Sequence, residues 1–254
     1  AILQQITGIN AVFFYAPMIF EQSGIGTDAA FMQAVLVGLT NLVFTVVAIS
    51  LIDKIGRKPL LVFGVTGIAT CMLMLSWGFS QASYTITADL LSELADTATA
   101  ASLEPLLGAT YDTDLAFRAA IIEQIGQDSF LRVESDLLTA AINIQAGIIL
   151  VGILGFVACF AVSIGPVMWV LFSELFPNRV RALAISVVGL VNSAVSFLVQ
   201  LLFPWQLANL GNAATFMFFG ISALIGLGLV IWLLPETRGQ SLEELESQLV
   251  GTKA

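Results

Sequence analysis

Six long apolar runs determine what this chain can fold into. They cover residues 2–20, 31–52, 60–79, 146–173, 182–204 and 213–234 of the 254-residue sequence. Each is close to the roughly 20 residues that a helix needs to cross the hydrocarbon core of a bilayer. The runs are rich in Leu, Ile, Val and Phe and do not alternate, unlike the strands of a membrane β-barrel, which are about 10 residues long. We therefore predict an all-α membrane protein with six transmembrane helices.

The basic residues predict the orientation of these spans. Seven of the nine Lys and Arg residues follow the second, fourth and sixth runs. Because loops that carry Lys and Arg stay in the cytoplasm, we expect these three loops to be cytoplasmic. The chain then enters its first span from the cytoplasm, and both termini lie on that side. We expect an integral protein of a plasma membrane or a bacterial inner membrane.

The segment between the third and fourth runs, residues 81–141, is strongly acidic. Between Asp89 and Asp136 it holds ten carboxylates against two cations, Arg118 and Arg132, a net charge of −8. No basic patch exists to neutralise phosphates, which excludes a nucleic-acid partner. We predict an extracytoplasmic insertion between the spans of 1–80 and 142–234, followed by a cytoplasmic tail at 235–254. Helical periodicity at 115–125 predicts small helices that cap the outer face.

The sequence is poor in residues for catalysis. It contains no histidine, and its two cysteines, Cys71 and Cys159, each lie inside an apolar run. A small buried side chain is the simplest interpretation of such a cysteine, so no disulfide framework is predicted. Without histidine the usual zinc ligand sets and His-dependent catalytic pairs are absent. We predict that the protein is not an enzyme and needs no metal or cofactor.

The first run carries polar side chains that lipid cannot satisfy. These are the amides of Gln4, Gln5 and Asn10 and the hydroxyl of Tyr15. Because an unpaired polar group in hydrocarbon is costly, we expect them to face a protein interior or a wet cavity. This segment is therefore the best candidate ligand site. The alternative is that the amides only hold neighbouring helices together.

The same run contains two residues that weaken a helix, Gly8 and Pro17. We expect a bent or broken helix, as in transporters whose interrupted helices line the substrate cavity. In a straight helix the side chains of Gln5 and Asn10 would point about 140° apart, so the two could not contact one ligand. A break would remove that obstacle.

Four separated stretches stand out in order along the chain: QQITGINAVFFYAP at 4–17, DKIGRKP at 53–59, GPVMWVLFSELFP at 165–177 and PETRGQSLEELE at 235–246. Together they resemble helix 7, the loop between helices 8 and 9, helix 10 and the end of helix 12 of the sugar porter family of the major facilitator superfamily. The resemblance implies the C-terminal six-helix half of a twelve-helix bundle, completed by an N-terminal half outside this sequence. The chain begins almost inside its first span, and we expect it to be a segment of a longer protein.

The resemblance also implies a sugar-contacting set. An indole packs against the C–H face of a sugar, and amides offer its hydroxyls both a donor and an acceptor. Phe14 stands where the family often has a tyrosine, and Ser193 where some members have a tryptophan, so a preference for hexoses is not predicted. The matching positions are Gln4, Gln5, Asn10, Tyr15, Asn41, Gly165, Trp169 and Asn192.

A second set consists of charged residues at the predicted cytoplasmic ends of the spans. Opposite charges there can pair between helices, and the resemblance implies that such pairs hold the cytoplasmic side closed and break as the transporter opens inward. The alternative, that the basic residues only set topology, leaves the acidic members unexplained. The set comprises Asp53, Arg57, Glu174, Arg179, Arg181, Glu236 and Arg238.

The function that these features predict is transport of a monosaccharide, hexose or pentose, by alternating access. No Asp or Glu lies near the middle of a run, and intramembrane carboxylates are the usual proton carriers. Proton symport would therefore need a carboxylate in the N-terminal half, and facilitated diffusion is equally compatible. The alternatives are a membrane sugar sensor of the same fold and, less favoured, a six-helix channel, whose paired Asn-Pro-Ala motifs are absent here. The expected partners are the monosaccharide, the bilayer, the N-terminal half and, for symport, protons.

Overall fold

The first predicted span consists of two helices. The computed structural model describes residues 1–21, 27–93, 97–176 and 179–234, and it begins with α1 (Ile2–Ile6) and α2 (Ile9–Glu21). Gly8, between them, has a φ of +86°, a left-handed conformation that glycine adopts without steric cost. The predicted break is therefore present at Gly8. The helix does not break at Pro17, which lies inside α2.

The second and third predicted spans are single helices, α3 (Thr27–Ile55) and α4 (Arg57–Ser80). Both are long and apolar enough to cross a bilayer. One residue, Gly56, separates them, and its φ of +101° lets the chain reverse direction at once. From this turn α4 continues and packs chiefly against two later helices, Ala146–Val162 and Arg181–Leu233.

The acidic insertion forms a small domain with its own hydrophobic core, centred on Phe117, Ile121, Phe130 and Leu137. A helix at 115–125 was predicted and is present, whereas the short three-stranded antiparallel sheet, in the order β2-β1-β3, was not. Its strands are too short to produce an alternating pattern. In chain order the elements are β1 (Ser83–Thr85), α5 (Ala88–Glu93), α6 (Thr97–Leu103), a 3₁₀ turn (Glu104–Leu106), β2 (Thr110–Tyr111), α7 (Asp114–Ile125), α8 (Gln127–Ala141) and β3 (Ile142–Asn143).

The fourth span is also broken. It comprises α9 (Ala146–Val162) and α10 (Ile164–Leu175), separated at Ser163, whose φ and ψ are −127° and −99°. The break lies two residues before Gly165, where a Cβ would come within 3.0 Å of the Phe160 ring. The break at Ser163 therefore lies at the start of the stretch that contains Gly165, Pro166 and Trp169.

The last helix, α11 (Arg181–Leu233), contains both the fifth and the sixth predicted spans. Gly211 interrupts it with a φ of 79° and a ψ of 170°, values that no α-helix contains. Before Gly211 the helix runs alongside α1 and α2 in the same direction, because Gln5 bonds to Asn192 and Asn10 bonds to Ser196.

After Gly211 the helix runs in the opposite direction. Gly8 faces Phe219, and Gly226, further along α11, faces Leu3 near the start of α1. The two parts of α11 therefore form a hairpin, and the described residues contain six apolar spans. These six spans lie in five continuous stretches of helix that have the length and hydropathy expected of a membrane span, because α11 contains the last two.

Glycines allow the close approach of α4 and α9. Gly64 lies against Ser163, while Gly152 lies against Leu75, so the two helices are antiparallel. A Cβ at Gly152 would come within 2.6 Å of Leu75 Cδ2. Small residues at such contacts let helix backbones pack closely where lipid offers no hydrophobic driving force between helices.

The acidic domain is attached to the helices at two places. Asp114, which is buried, accepts hydrogen bonds from the backbone N–H of Asn212 at 3.2 Å and from its side-chain Nδ2 at 3.3 Å. Burial raises the pKa of this carboxyl group, and the nearby Arg118 opposes the shift. At the second place, Thr139 Oγ1 donates to the backbone carbonyl of Glu21, the last residue of α2, at 3.1 Å. The domain therefore contacts both the end of the first span and the α11 hairpin.

We expect Gly226→Val to destabilise the bundle by about 1–3 kcal/mol, because the new side chain would overlap Leu3 of α1. Gly228→Val is the matched control on the same helix, since no atom lies within 4 Å of a Cβ placed there. Thermal unfolding in detergent micelles should show a lower melting temperature for Gly226→Val than for Gly228→Val. Equal melting temperatures would contradict the contact between α1 and the second part of α11.

Candidate functional site

A groove of about 470 Å³ lies between the broken first span and the first part of α11. Ligand sites are typically cavities of about 300–1,000 Å³ with a few convergent polar groups. We call this cavity the polar groove. Its lining consists of Gln5, Asn10, Tyr15, Asn192, Ser193, Ser196, Phe197, Gln200 and Leu201.

The break at Gly8 brings Gln5 and Asn10 together. Asn10 Nδ2 donates to Gln5 Oε1 at 2.7 Å, although the two residues would lie on different faces of a straight helix. Gly8 itself fits against Phe219, because a Cβ there would come within 2.9 Å of Phe219 Cδ2. The backbone break and its packing therefore place both amides in one groove.

The groove's other wall repeats a polar residue once per helical turn. Asn192, Ser196 and Gln200 are four residues apart and share one face of α11. Gln5 Nε2 donates to Asn192 Oδ1 at 3.0 Å, and Gln200 Nε2 donates to Ser196 Oγ at 2.9 Å. Asn192 was predicted, whereas Ser196 and Gln200 were not. The spacing of polar residues within an apolar span could have identified them.

The groove presents uncharged polar groups beside aromatic rings. Its polar lining consists only of amides and hydroxyls, and Tyr15 packs on Phe203 with ring centroids 5.2 Å apart. Tyr15 also donates to the carbonyl oxygen of Gln200 at 3.4 Å. Amides that both donate and accept can exchange these internal bonds for bonds to ligand hydroxyls. The arrangement suits a neutral ligand with several hydroxyl groups.

The other predicted sugar-contacting residues do not line the described groove. Gln4 is buried behind it, where its Oε1 accepts from Gln5 Nε2 at 3.4 Å. Asn41 lies partly buried on α3, and Gly165, on α10, packs near Phe160 of α9. Trp169 is 46% exposed and meets Phe172 edge-on at 6.0 Å. Their assignment to a sugar site remains a prediction.

Charged residues meet where α3 and α10 end and α4 begins. Arg57 Nη2 lies 2.7 Å from Glu174 Oε1 and 3.1 Å from Asp53 Oδ1. The side chains of Arg57 and Glu174 are 13% and 23% exposed, whereas that of Asp53 is 77% exposed, so the first pair is the better shielded from solvent. The predicted contact among these three residues is therefore present.

The remaining predicted gate residues are placed differently. Arg181 donates from Nε to the backbone carbonyl of Phe176 at 3.1 Å, and Arg179 is exposed. Glu236 and Arg238 lie outside the described residues. Within the described ranges, no group of three or more His, Cys, Asp or Glu side chains is placed to hold a metal ion.

Known proteins resemble this chain over nearly its whole length. It is 32% identical over 254 residues to the D-xylose-proton symporter of Escherichia coli K12, covering 97% of this chain and 39% of that protein. It is 32% identical over 249 residues to the glucose transporter GlcP of Staphylococcus epidermidis, covering 98% of this chain and 43% of that protein. The chain thus spans about two fifths of the length of these relatives.

A solved structure gives the same result for the fold. The proton:xylose symporter XylE of the major facilitator superfamily, bound to 6-bromo-6-deoxy-D-glucose, matches with a TM-score of 0.61 and 30% identity, over 97% of this chain and 40% of that chain. Six apolar spans that cover two fifths of a major facilitator structure correspond to one half of its bundle.

The family model described as "Sugar (and other) transporter" matches residues 1–94 and 130–249, which leaves out only the middle of the acidic domain and the last residues. The match includes both walls of the polar groove and the residues of the Asp53, Arg57 and Glu174 cluster. The chain is an integral membrane protein, and it belongs to the sugar transporter family of the major facilitator superfamily.

Proposed function

We propose that this chain is the C-terminal half of a monosaccharide transporter that works by alternating access. The observation that carries the proposal is the polar groove, where Gln5, Asn10 and Asn192 form one hydrogen-bonded group of amides. A companion N-terminal half would close the open side of the groove, since cavities of this kind lie at the interface of two repeats. Hexoses and pentoses are both compatible with the lining.

The chemistry of the groove supports a neutral sugar over a charged metabolite. No Asp, Glu, Lys or Arg is among its lining residues. A charged ligand in an apolar bundle would need an opposite charge to offset its loss of hydration. A sugar needs only donors and acceptors, which the amides supply in pairs, and an aromatic surface for its C–H groups, to which Tyr15 and Trp169 are suited.

The charged cluster at the ends of α3, α4 and α10 supports a switching role. The Arg57–Glu174 pair joins two helices and is partly shielded from water, so it can favour one packing of the helix ends over another. We propose that it stabilises the state closed to the cytoplasm, with both termini and this cluster on the cytoplasmic side. The protein would reside in a plasma membrane or a bacterial inner membrane.

Coupling to protons is compatible with the proposal but would depend on the companion half. Among the titratable residues that the structure describes, none but Tyr15 lines the polar groove. A proton carrier inside a membrane is usually a carboxylate. In a symporter the proton-carrying carboxylate would therefore belong to the N-terminal half. A facilitator would need no such carboxylate in either half. The protein would make and break no covalent bonds.

We expect Gln5→Ala in the complete transporter to weaken monosaccharide binding by about tenfold or more, because one amide supplies both a donor and an acceptor to the groove. Trp169→Ala should weaken it as well, because the resemblance assigns this indole to the sugar site, although Trp169 lies outside the described lining of the groove. Asn209→Ala is the matched amide control, since Asn209 is exposed on α11 outside the groove. Equilibrium binding of labelled D-xylose and D-glucose in nanodiscs measures the affinities.

The result that would overturn the proposal is saturable binding by Gln5→Ala with the affinity of the wild type, or no sugar binding by the wild type at all. Normal binding by Trp169→Ala alone would remove Trp169 from the site and leave the groove assignment intact.

We expect Glu174→Gln to reduce transport about tenfold while leaving sugar affinity within about threefold of wild type, because it breaks the shielded pair with Arg57 and is not among the residues that line the groove. Asp53→Asn removes the exposed pair and should have a smaller effect. The charge-swapped double variant Arg57→Glu with Glu174→Arg should recover part of the transport. Proteoliposome uptake combined with equilibrium binding separates the two quantities, and wild-type uptake by Glu174→Gln would contradict a gating role.

A further inference from the structure

A second cavity, of about 400 Å³, lies where the acidic domain joins the ends of α4 and α9. We call it the junction cavity. It is separate from the polar groove, and the two share no lining residue. The side chains that give it chemical character are Trp77, Gln81, Ser83, Asn143 and Gln145.

The walls of the junction cavity are fixed by regular structure. Ser83 on β1 and Asn143 on β3 are paired directly across the sheet, so their side chains lie on one face. Gly78 near the end of α4 packs against α9, where a Cβ would come within 3.0 Å of Ile149 Cδ1. The sheet and the two helix ends therefore hold the polar side chains around one space.

These polar groups are available to a ligand. In the part of the chain that the structure describes, the side chains of Gln81, Ser83, Asn143 and Gln145 make no hydrogen bond to the protein. Solvated amides on a protein surface are common, but here three of them and a hydroxyl converge on a cavity whose size fits a small molecule. The indole of Trp77, which is 56% exposed, provides an apolar surface at the same place.

The charge of the junction cavity narrows the class of ligand. The surrounding acidic domain carries ten carboxylates between Asp89 and Asp136, and none of them lines the cavity. A cation site would use such carboxylates, and a phosphate site would need Lys or Arg, which are also absent from the lining. Amides, a hydroxyl and an indole are the groups that bind a neutral polyol.

We propose that the junction cavity is a second carbohydrate site, which binds a monosaccharide at the end of the bundle that carries the acidic domain. The ligand class follows from the cavity's own lining and does not depend on the function proposed for the polar groove. A sugar held there would contact Asn143 and Ser83 from the sheet and Gln81 and Gln145 from the helix ends. The site would be filled independently of the polar groove.

The test is saturable binding of D-xylose and D-glucose to the complete protein in nanodiscs, in a Gln5→Ala background that weakens the polar groove. We expect one class of sugar site to keep its wild-type affinity, while the affinity of the polar groove falls by about tenfold or more. Adding Asn143→Ala and Gln145→Ala together should weaken it by about tenfold or more, because the sugar loses two amide partners. The matched control is Gln127→Ala, an exposed amide of the same domain outside the cavity. All three substituted side chains are exposed, so unchanged melting temperatures should accompany the result.

Two outcomes would overturn the proposal: no saturable binding left in Gln5→Ala, or residual binding that Asn143→Ala with Gln145→Ala leaves unchanged. Lipid in the junction cavity would also overturn the proposal. Brominated phospholipid would then quench the fluorescence of Trp77, and added sugar would not relieve the quenching. The Trp77→Phe variant gives the reference signal. If wild type instead shows one site that Gln5→Ala leaves intact and the double variant removes, the junction site stands and the function proposed for the polar groove fails.

Discussion

The need of buried amides for partners in an apolar bundle explains the most unusual part of this structure. Gln5 and Asn10 lie in a span that crosses hydrocarbon, where an unsatisfied amide is costly. A continuous helix would direct them to different faces. The left-handed backbone at Gly8 turns both towards α11, where Asn192 and Ser196 complete their hydrogen bonds. The same contacts that stabilise the broken helix create the groove.

The acidic domain is connected to the same two elements that form the groove. Thr139 donates a hydrogen bond to the end of α2, and Asp114 accepts one from Asn212, which follows Gly211 at the turn of the α11 hairpin. Asp114 is an expensive residue to bury, and its raised pKa reflects that cost. The backbone N–H and the side-chain amide of Asn212 both donate to Asp114, and these two hydrogen bonds offset part of the cost of burial. The domain thus holds the ends of two groove-forming segments in a fixed relation, whatever its other roles.

The large features of the fold could be predicted from the sequence because hydrophobic length, helical periodicity and glycine's backbone freedom dictate them. All six spans, the break near Gly8 and the helix at 115–125 follow from patterns of ten or more residues or from glycine's backbone freedom. Pairing between opposite charges at this end of the bundle was also predicted, although the sequence did not indicate that Arg57 and Glu174 are the two that pair. In contrast, β1, β2 and β3 contain three, two and two residues, too few for a periodic signal.

The candidate site could be predicted only in part. Polar residues near a glycine in the first span are conspicuous, and the four-residue spacing could have placed Ser196 and Gln200 on one face of α11. The contact of Ser196 with Asn10, in contrast, depends on packing between distant segments. Trp169 was assigned by resemblance alone, and it lies outside the described lining of the groove. The junction cavity had no sequence signal, because its residues come from two helix ends and two strands that only the fold unites.

We propose that the break at Gly8 creates the sugar site. The affinity of the complete protein for D-xylose and D-glucose after Gly8→Ala tests this directly. Alanine disfavours the φ of +86° and would contact Phe219, so it opposes the geometry that joins Gln5 to Asn10. Gly38→Ala on α3 is the control, because no atom lies within 4 Å of a Cβ there. Binding is measured well below the melting temperature of both variants, where nearly all of the protein is folded and reduced stability does not lower the apparent affinity. We expect a loss of about tenfold or more for Gly8→Ala, equivalent to about 1.4 kcal/mol, and no change for Gly38→Ala. Equal affinities for the two variants would contradict it.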